Sequence, residues 1–79
     1  MSAASVTLST LLPGQQAIVL SINAPEFLHQ RFRAMGFRIG RPVRLMRGAA
    51  FRGPLQVRLG PTDVIIRRID ACMIEVTCA

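Results

Sequence analysis

The stretch Pro25–Gly48, PEFLHQRFRAMGFRIGRPVRLMRG, changes its apolar period part-way through, and that change decides the fold. In the first half Leu28, Phe32 and Met35 recur at i, i+4 and i+7, which is one stripe of a helix, with Gln30, Arg31 and Arg33 off it. Pro25 suits the first helical turn, Glu26 suits the positive end of the helix dipole, and Gly36 suits the C′ position. Phe37 follows where a Schellman-type end folds the chain back on Phe32 or Arg33. In the second half the period is two: Val43 and Leu45 share one side of a strand, Arg44 and Met46 the other.

Working outward, GPLQVRLG repeats the alternation, with Leu55, Val57 and Leu59 inward and Gln56 and Arg58 outward. Turn residues stand between the segments at Gly48, Gly53 and Pro54, then at Gly60 and Pro61. DVIIRRI and MIEV complete the set, with Val64, Ile66, Ile74 and Val76 as inward candidates. On the N-terminal side AIVLSI reads as a strand, but Ala17 and Val19 compete with Ile18, Leu20 and Ile22 for the buried face, so it holds a bulge or is buried on both sides. A Pro-Gly turn precedes it at Pro13 and Gly14, and residues 1–7 read as a flexible lead-in. The expectation is a mainly β protein. It comprises a small, closed or nearly closed β-barrel of about five strands, with one short α-helix after the first strand, in a single domain over residues 8–79.

Size and composition bound what such a fold can do. A chain of 79 residues holds one domain close to the lower limit for a self-sufficient core. At 51% apolar and 18% charged residues it belongs with ordered globular chains. No apolar run approaches the roughly 20 residues that span a bilayer, and the N-terminus lacks the basic opening of a secretory signal, so the expected location is the cytoplasm. Two cysteines, Cys72 and Cys78, are too few for a disulfide scaffold and are not spaced as a zinc or thiol-redox pair. Cys72 reads as a small buried apolar residue and Cys78 as a tail thiol.

Catalysis lacks its material: there is one histidine, four scattered carboxylates and no tyrosine or lysine. His29, mid-helix at the edge of the apolar stripe, reads as a surface or partly packed residue. GAAFRG lacks the ending of a phosphate loop. The chain reads as a non-enzyme with no cofactor and no metal site.

The charge invites a partner. Ten arginines against four acids give a net charge of +6, enough to draw nucleic acid, acidic lipid or an acidic protein face. The absence of lysine is also what an Arg-favouring codon bias produces. Six of the ten lie between Arg31 and Arg47, spread over a helix end, a turn and a strand rather than along one stripe. A small barrel that binds nucleic acid stacks bases on strand aromatics. Here Phe27, Phe32 and Phe37 belong to the helix and its end, and Phe51 to a loop. Nucleic-acid binding through Arg–phosphate contacts is therefore the alternative reading, and self-association through sheet edges a third.

The order of these elements and their punctuation resembles the FeoA family, small cytoplasmic SH3-like barrel proteins associated with the bacterial ferrous iron transporter FeoB. The same domain occurs at the C-terminus of some iron-dependent repressors. The resemblance runs from about Leu8 to Val76 and is carried by LLPGQQAIV, QRFRAMGFRIGRPV, GPLQVRL and VIIRRIDACMIEV. Arg31, Gly36, Gly40, Gly53, Pro54, Arg67, Ala71, Ile74 and Val76 stand at matching places, while Ile66 stands where leucine is common. It implies a regulatory or assembly partner of an iron transporter, bound to the transporter's cytoplasmic region and so peripheral at the inner membrane.

Within that frame Arg31, Gly36, Gly40, Gly53, Pro54 and Arg67 are expected to be structural. The two glycines suit turns with positive φ, Arg31 suits a stem laid over the barrel with its fork on backbone carbonyls, and Arg67 and Arg68 beside Asp70 suit a solvated edge. Arg44, Met46, Phe51 and Arg52 are expected to form part of a docking face, because Phe51 at a loop tip has few core neighbours.

Overall fold

The computed structural model describes residues 5–48 and 53–78. Six strands form one antiparallel sheet: β1 (Ser5–Thr7), β2 (Gln16–Ile22), β3 (Pro42–Gly48), β4 (Leu55–Leu59), β5 (Thr62–Ile66) and β6 (Ile74–Cys78). Their order is β1-β6-β2-β3-β4-β5. Helix α1 (Glu26–Met35) lies between β2 and β3, and a four-residue helix α2 (Arg68–Ala71) between β5 and β6.

The expected barrel of about five strands is corrected in three respects. Among the described residues the sheet is not closed, since β1 and β5 are its two edges and do not pair. The strand count is six, because Ser5–Thr7, placed in the lead-in by its sequence, pairs with Glu75–Thr77 of β6. The main helix consequently follows the second strand.

β2 resolves its ambiguous pattern with a bulge. Ala17 and Val19 are buried, the register against β6 shifts between Val19 and Ser21, and Ile22 then faces Ile74 on the core side. The extra residue, Leu20, is turned outward and exposed.

α1 follows its sequence signals closely. Leu28 and Phe32 are buried and Met35 packs at the core's edge. The helix ends at Gly36 with φ +113°, where the Gly36 N–H donates to the Arg33 carbonyl (3.1 Å) and the Phe37 N–H to the Phe32 carbonyl (3.0 Å). These are the two bonds of a Schellman end. They return Phe37 to the core, where its ring meets Phe32 edge-on at 6.3 Å and 75°. Such a pair adds about 0.5–1.5 kcal/mol beyond its burial.

The chain then reaches β3 along β2. Gly40, with φ +88°, donates to the Val19 carbonyl (2.7 Å), and the Val19 N–H donates to the Arg41 carbonyl (3.0 Å). At the other end of this strand pair the Pro13–Gly14 turn docks on β3: Gly14 N–H donates to the Leu45 carbonyl (2.7 Å) and Leu45 N–H to the Gln15 carbonyl (3.1 Å). The inward residues of β3, β4 and β6 are buried as their alternation requires, while Val64 of β5 is only half-buried near the open edge.

Candidate functional site

Because side chains alternate across a sheet, the register that buries Val43, Leu45 and Val57 also fixes what stands on the opposite face. Gln16 of β2 pairs with Arg44 of β3, Arg44 with Arg58 of β4, and Arg58 with Asp63 of β5. Four polar residues thus form one row across four strands. A second row follows beyond a bulge at Met46: Arg47 pairs with Gln56, and Gln56 with Ile65.

The first row borders a groove of about 290 Å3 lined by Gln16, Pro42, Val43, Arg44, Arg58 and Gly60. Two guanidinium groups directly opposite each other repel. Arg58 is offset by Asp63, to which its Nε donates at 2.7 Å and its Nη2 at 3.2 Å. Gln56 Nε2 donates to the same carboxylate at 3.1 Å. The Arg58 hydrogen bond, helped by Gln56, holds the Asp63 carboxyl below the usual carboxylate range, and Asp63 in turn raises the guanidinium's value. A third guanidinium lies against the groove residue Gly60: that of Arg41, whose Nη2 donates to the Leu59 carbonyl (3.3 Å). Among the described residues the Arg44 side chain has neither a hydrogen-bond partner nor a carboxylate, and its fork is free.

Of the expected docking face, Arg44 is therefore exposed at the groove and Met46 is half-buried at the β3 bulge. Phe51 and Arg52 lie outside the described residues. Gly53 and Pro54 lead into β4, and Arg31 is exposed on α1 with no side-chain hydrogen bond among the described residues. The stem-and-carbonyl geometry expected of Arg31 is found instead at Arg41 and at Arg68, whose Nη1 donates to the Ser9 carbonyl (3.1 Å).

Arg67 reaches Asp70 through two bonds, at 2.9 and 3.2 Å. Its own side chain is 63% exposed, but that of Asp70 is 7% exposed, so the pair is half inside the protein and not wholly a solvated edge. Cys72, expected in the core, is exposed at the turn after α2 with its thiol 3.3 Å from Ser9 Oγ, and Cys78 is exposed as well. Sequence reasoning missed Gln16 and Arg58 as neighbours of Arg44, because only strand register brings them together.

The FeoA domain family matches residues 6–78, nearly the whole chain. This chain belongs to the FeoA family. It is 33% identical, over 69 residues and 87% of its length, to the Fe(2+) transport protein A/Fe(2+) transporter FeoB fusion protein of Porphyromonas gingivalis, of which it spans 8%. It is 31% identical, over 90% of its length and 96% of the relative's, to a candidate Fe(2+) transport protein A of Campylobacter jejuni. Among solved structures, iron(II) transport protein A from Clostridium thermocellum superposes with a TM-score of 0.90 at 27% identity, covering 94% of this chain and 46% of that one. The open six-stranded sheet with its capped helix is thus the FeoA-family fold. Among the described residues no three His, Cys, Asp or Glu side chains group as a metal site, and no helix is long and apolar enough to cross a membrane.

Proposed function

We propose that this FeoA-family chain is a small accessory protein that binds the cytoplasmic region of a FeoB-type ferrous iron transporter and modulates uptake by protein–protein contact, without catalysis of its own. The observation that carries the proposal is the Porphyromonas gingivalis relative, whose name joins the A protein and FeoB in one chain. Covalent fusion raises the effective concentration of two modules, which is useful when they engage each other. A net charge of +6 and the free Arg44 fork supply attraction for an acidic protein face. The docking face is centred on Arg44 and Met46, and Phe51 and Arg52, which follow β3 in sequence, are proposed as its further contacts. On this reading the protein works in the cytoplasm and becomes peripheral at the inner membrane when its partner is bound.

No described strand carries an aromatic that could stack a base, so the outer sheet face offers nucleic acid cations alone. The decisive experiment is co-purification of the tagged chain with the transporter's cytoplasmic fragment from the same genome, paired with ferrous iron uptake in a deletion strain. Retention together with altered uptake is expected; no retention and unchanged uptake would refute the proposal.

A further inference from the structure

We infer that the groove between β2, β3 and β4 is a receptor for a single carboxylate side chain on an acidic segment of a protein partner, with Arg44 as the recognising group. This rests on the proposed function and names the chemistry of its contact. Two guanidinium groups, Arg44 and Arg58, line the groove and a third, Arg41, lies against its Gly60, but they are not equivalent. Arg58 has its Nε and Nη2 committed to Asp63, and Arg41 has its Nη2 committed to the Leu59 carbonyl. Arg44 stands opposite Arg58 and beside Gln16, and among the described residues its side chain has no oxygen partner. One free planar fork matches one carboxylate, which it binds through two parallel N–H···O bonds.

The surroundings favour a carboxylate over a phosphate. Asp63 neutralises Arg58 (2.7 Å) and the Leu59 carbonyl takes Nη2 of Arg41, so Arg44 is left as a single planar fork, whose two parallel N–H groups match the two coplanar oxygens of a carboxylate. Pro42, on the same face as Arg44, gives the groove one apolar edge against which the methylene stem of a glutamate can lie. The Gln16 side chain stands beside Arg44 across β2 and β3, where its amide can donate to a second oxygen.

The test is an amide-resolved NMR titration of the whole chain at low salt with the blocked peptide Gly-Glu-Gly-Glu-Gly, its glutamine counterpart, and inorganic phosphate. The Glu peptide should shift the amides of Gln16, Arg44, Arg58 and Gly60, with the Gln peptide at least about tenfold weaker. Arg44→Gln should abolish the response, and Arg38→Gln, which removes an exposed charge outside the groove, should keep it. Equal responses to the two peptides, equal losses in the two variants, or tighter binding of phosphate at the same amides would each overturn the inference. Repeating Arg44→Gln against the transporter fragment separates the two proposals. If wild type and variant are retained equally, the groove inference falls while the partner stands. If the wild type is not retained but the Glu peptide binds, the partner falls while the groove stands.

Discussion

Replacing Gly36 by alanine tests how the helix end holds the fold together. Gly36 sits at φ +113°, outside the range that a residue with a Cβ adopts comfortably. An added Cβ would lie 3.4 Å from Leu59 Cδ1, an ordinary van der Waals separation, so the cost is backbone strain and not a clash. Forcing an L-residue into the left-handed region costs about 1–2 kcal/mol, and alanine returns about 0.4–1 kcal/mol by restricting the unfolded chain, so destabilisation of about 1 kcal/mol is expected. A domain of this size loses about 4–8 °C in melting temperature per kcal/mol, which puts the expected fall near 4–8 °C. Circular dichroism melts of wild type and Gly36→Ala measure it. Gly40→Ala is the companion: it has φ +88° and no atom within 4 Å of an added Cβ, so it should show a similar strain-limited fall. A Gly36→Ala melt within about a degree of wild type would refute the strain account of the Schellman end.

Arg44→Glu turns a repelling cross-strand pair with Arg58 into an attracting one, so it should raise the urea midpoint slightly while abolishing retention of the transporter fragment; a lowered midpoint would contradict the register. Asp63→Asn should change the pH profile in the acid range. The folded carboxyl is depressed by the Arg58 hydrogen bond, so its stabilisation is complete above the unfolded value of about 3.9 and is lost as pH falls through the lower folded value. The urea midpoints of wild type and variant should therefore converge below about pH 4, and a gap that widens there would be inconsistent with this sign. Both Cys72 and Cys78 are exposed, so two thiols should react with a chromogenic disulfide reagent in the folded protein; one reacting only after unfolding would contradict their placement. Asp70 is buried beneath Arg67, so Arg67→Gln should lower the melting temperature where Arg38→Gln does not.

How much of this was legible in the sequence depends on the range of the signal. α1 spans almost three turns with a periodic stripe and a C′ glycine, and its ends agree with its sequence to within a residue. β3 and β4 alternate cleanly, and their inward residues are the core. β1 escaped because three residues carry no period; it exists because Val6 faces Val76 and its backbone completes the edge of β6. α2 escaped because VIIRRI continues the spacing of a strand, yet Ile69 is exposed and the chain turns to place Asp70 against Arg67. The groove was half legible: alternation sends Arg44 and Arg58 outward, but their pairing depends on the bulge at Met46, which no local pattern reveals.

The arginines show why composition alone could not name a client. Arg58 and Arg67 neutralise carboxylates of this chain, and Arg41 and Arg68 bind its own carbonyls. Their charge counts in the net +6 but their forks are committed to this chain's own oxygens, so they contribute mainly long-range attraction. Directional recognition requires uncommitted donors at a shaped surface, because a guanidinium distinguishes one anion from another through bond geometry and not through its charge. Among the described arginines Arg44 combines a free fork with a place on the groove. A polyanion gripped along its length would need a stripe of such forks, whereas one fork in one groove suits a single side chain presented by a folded partner.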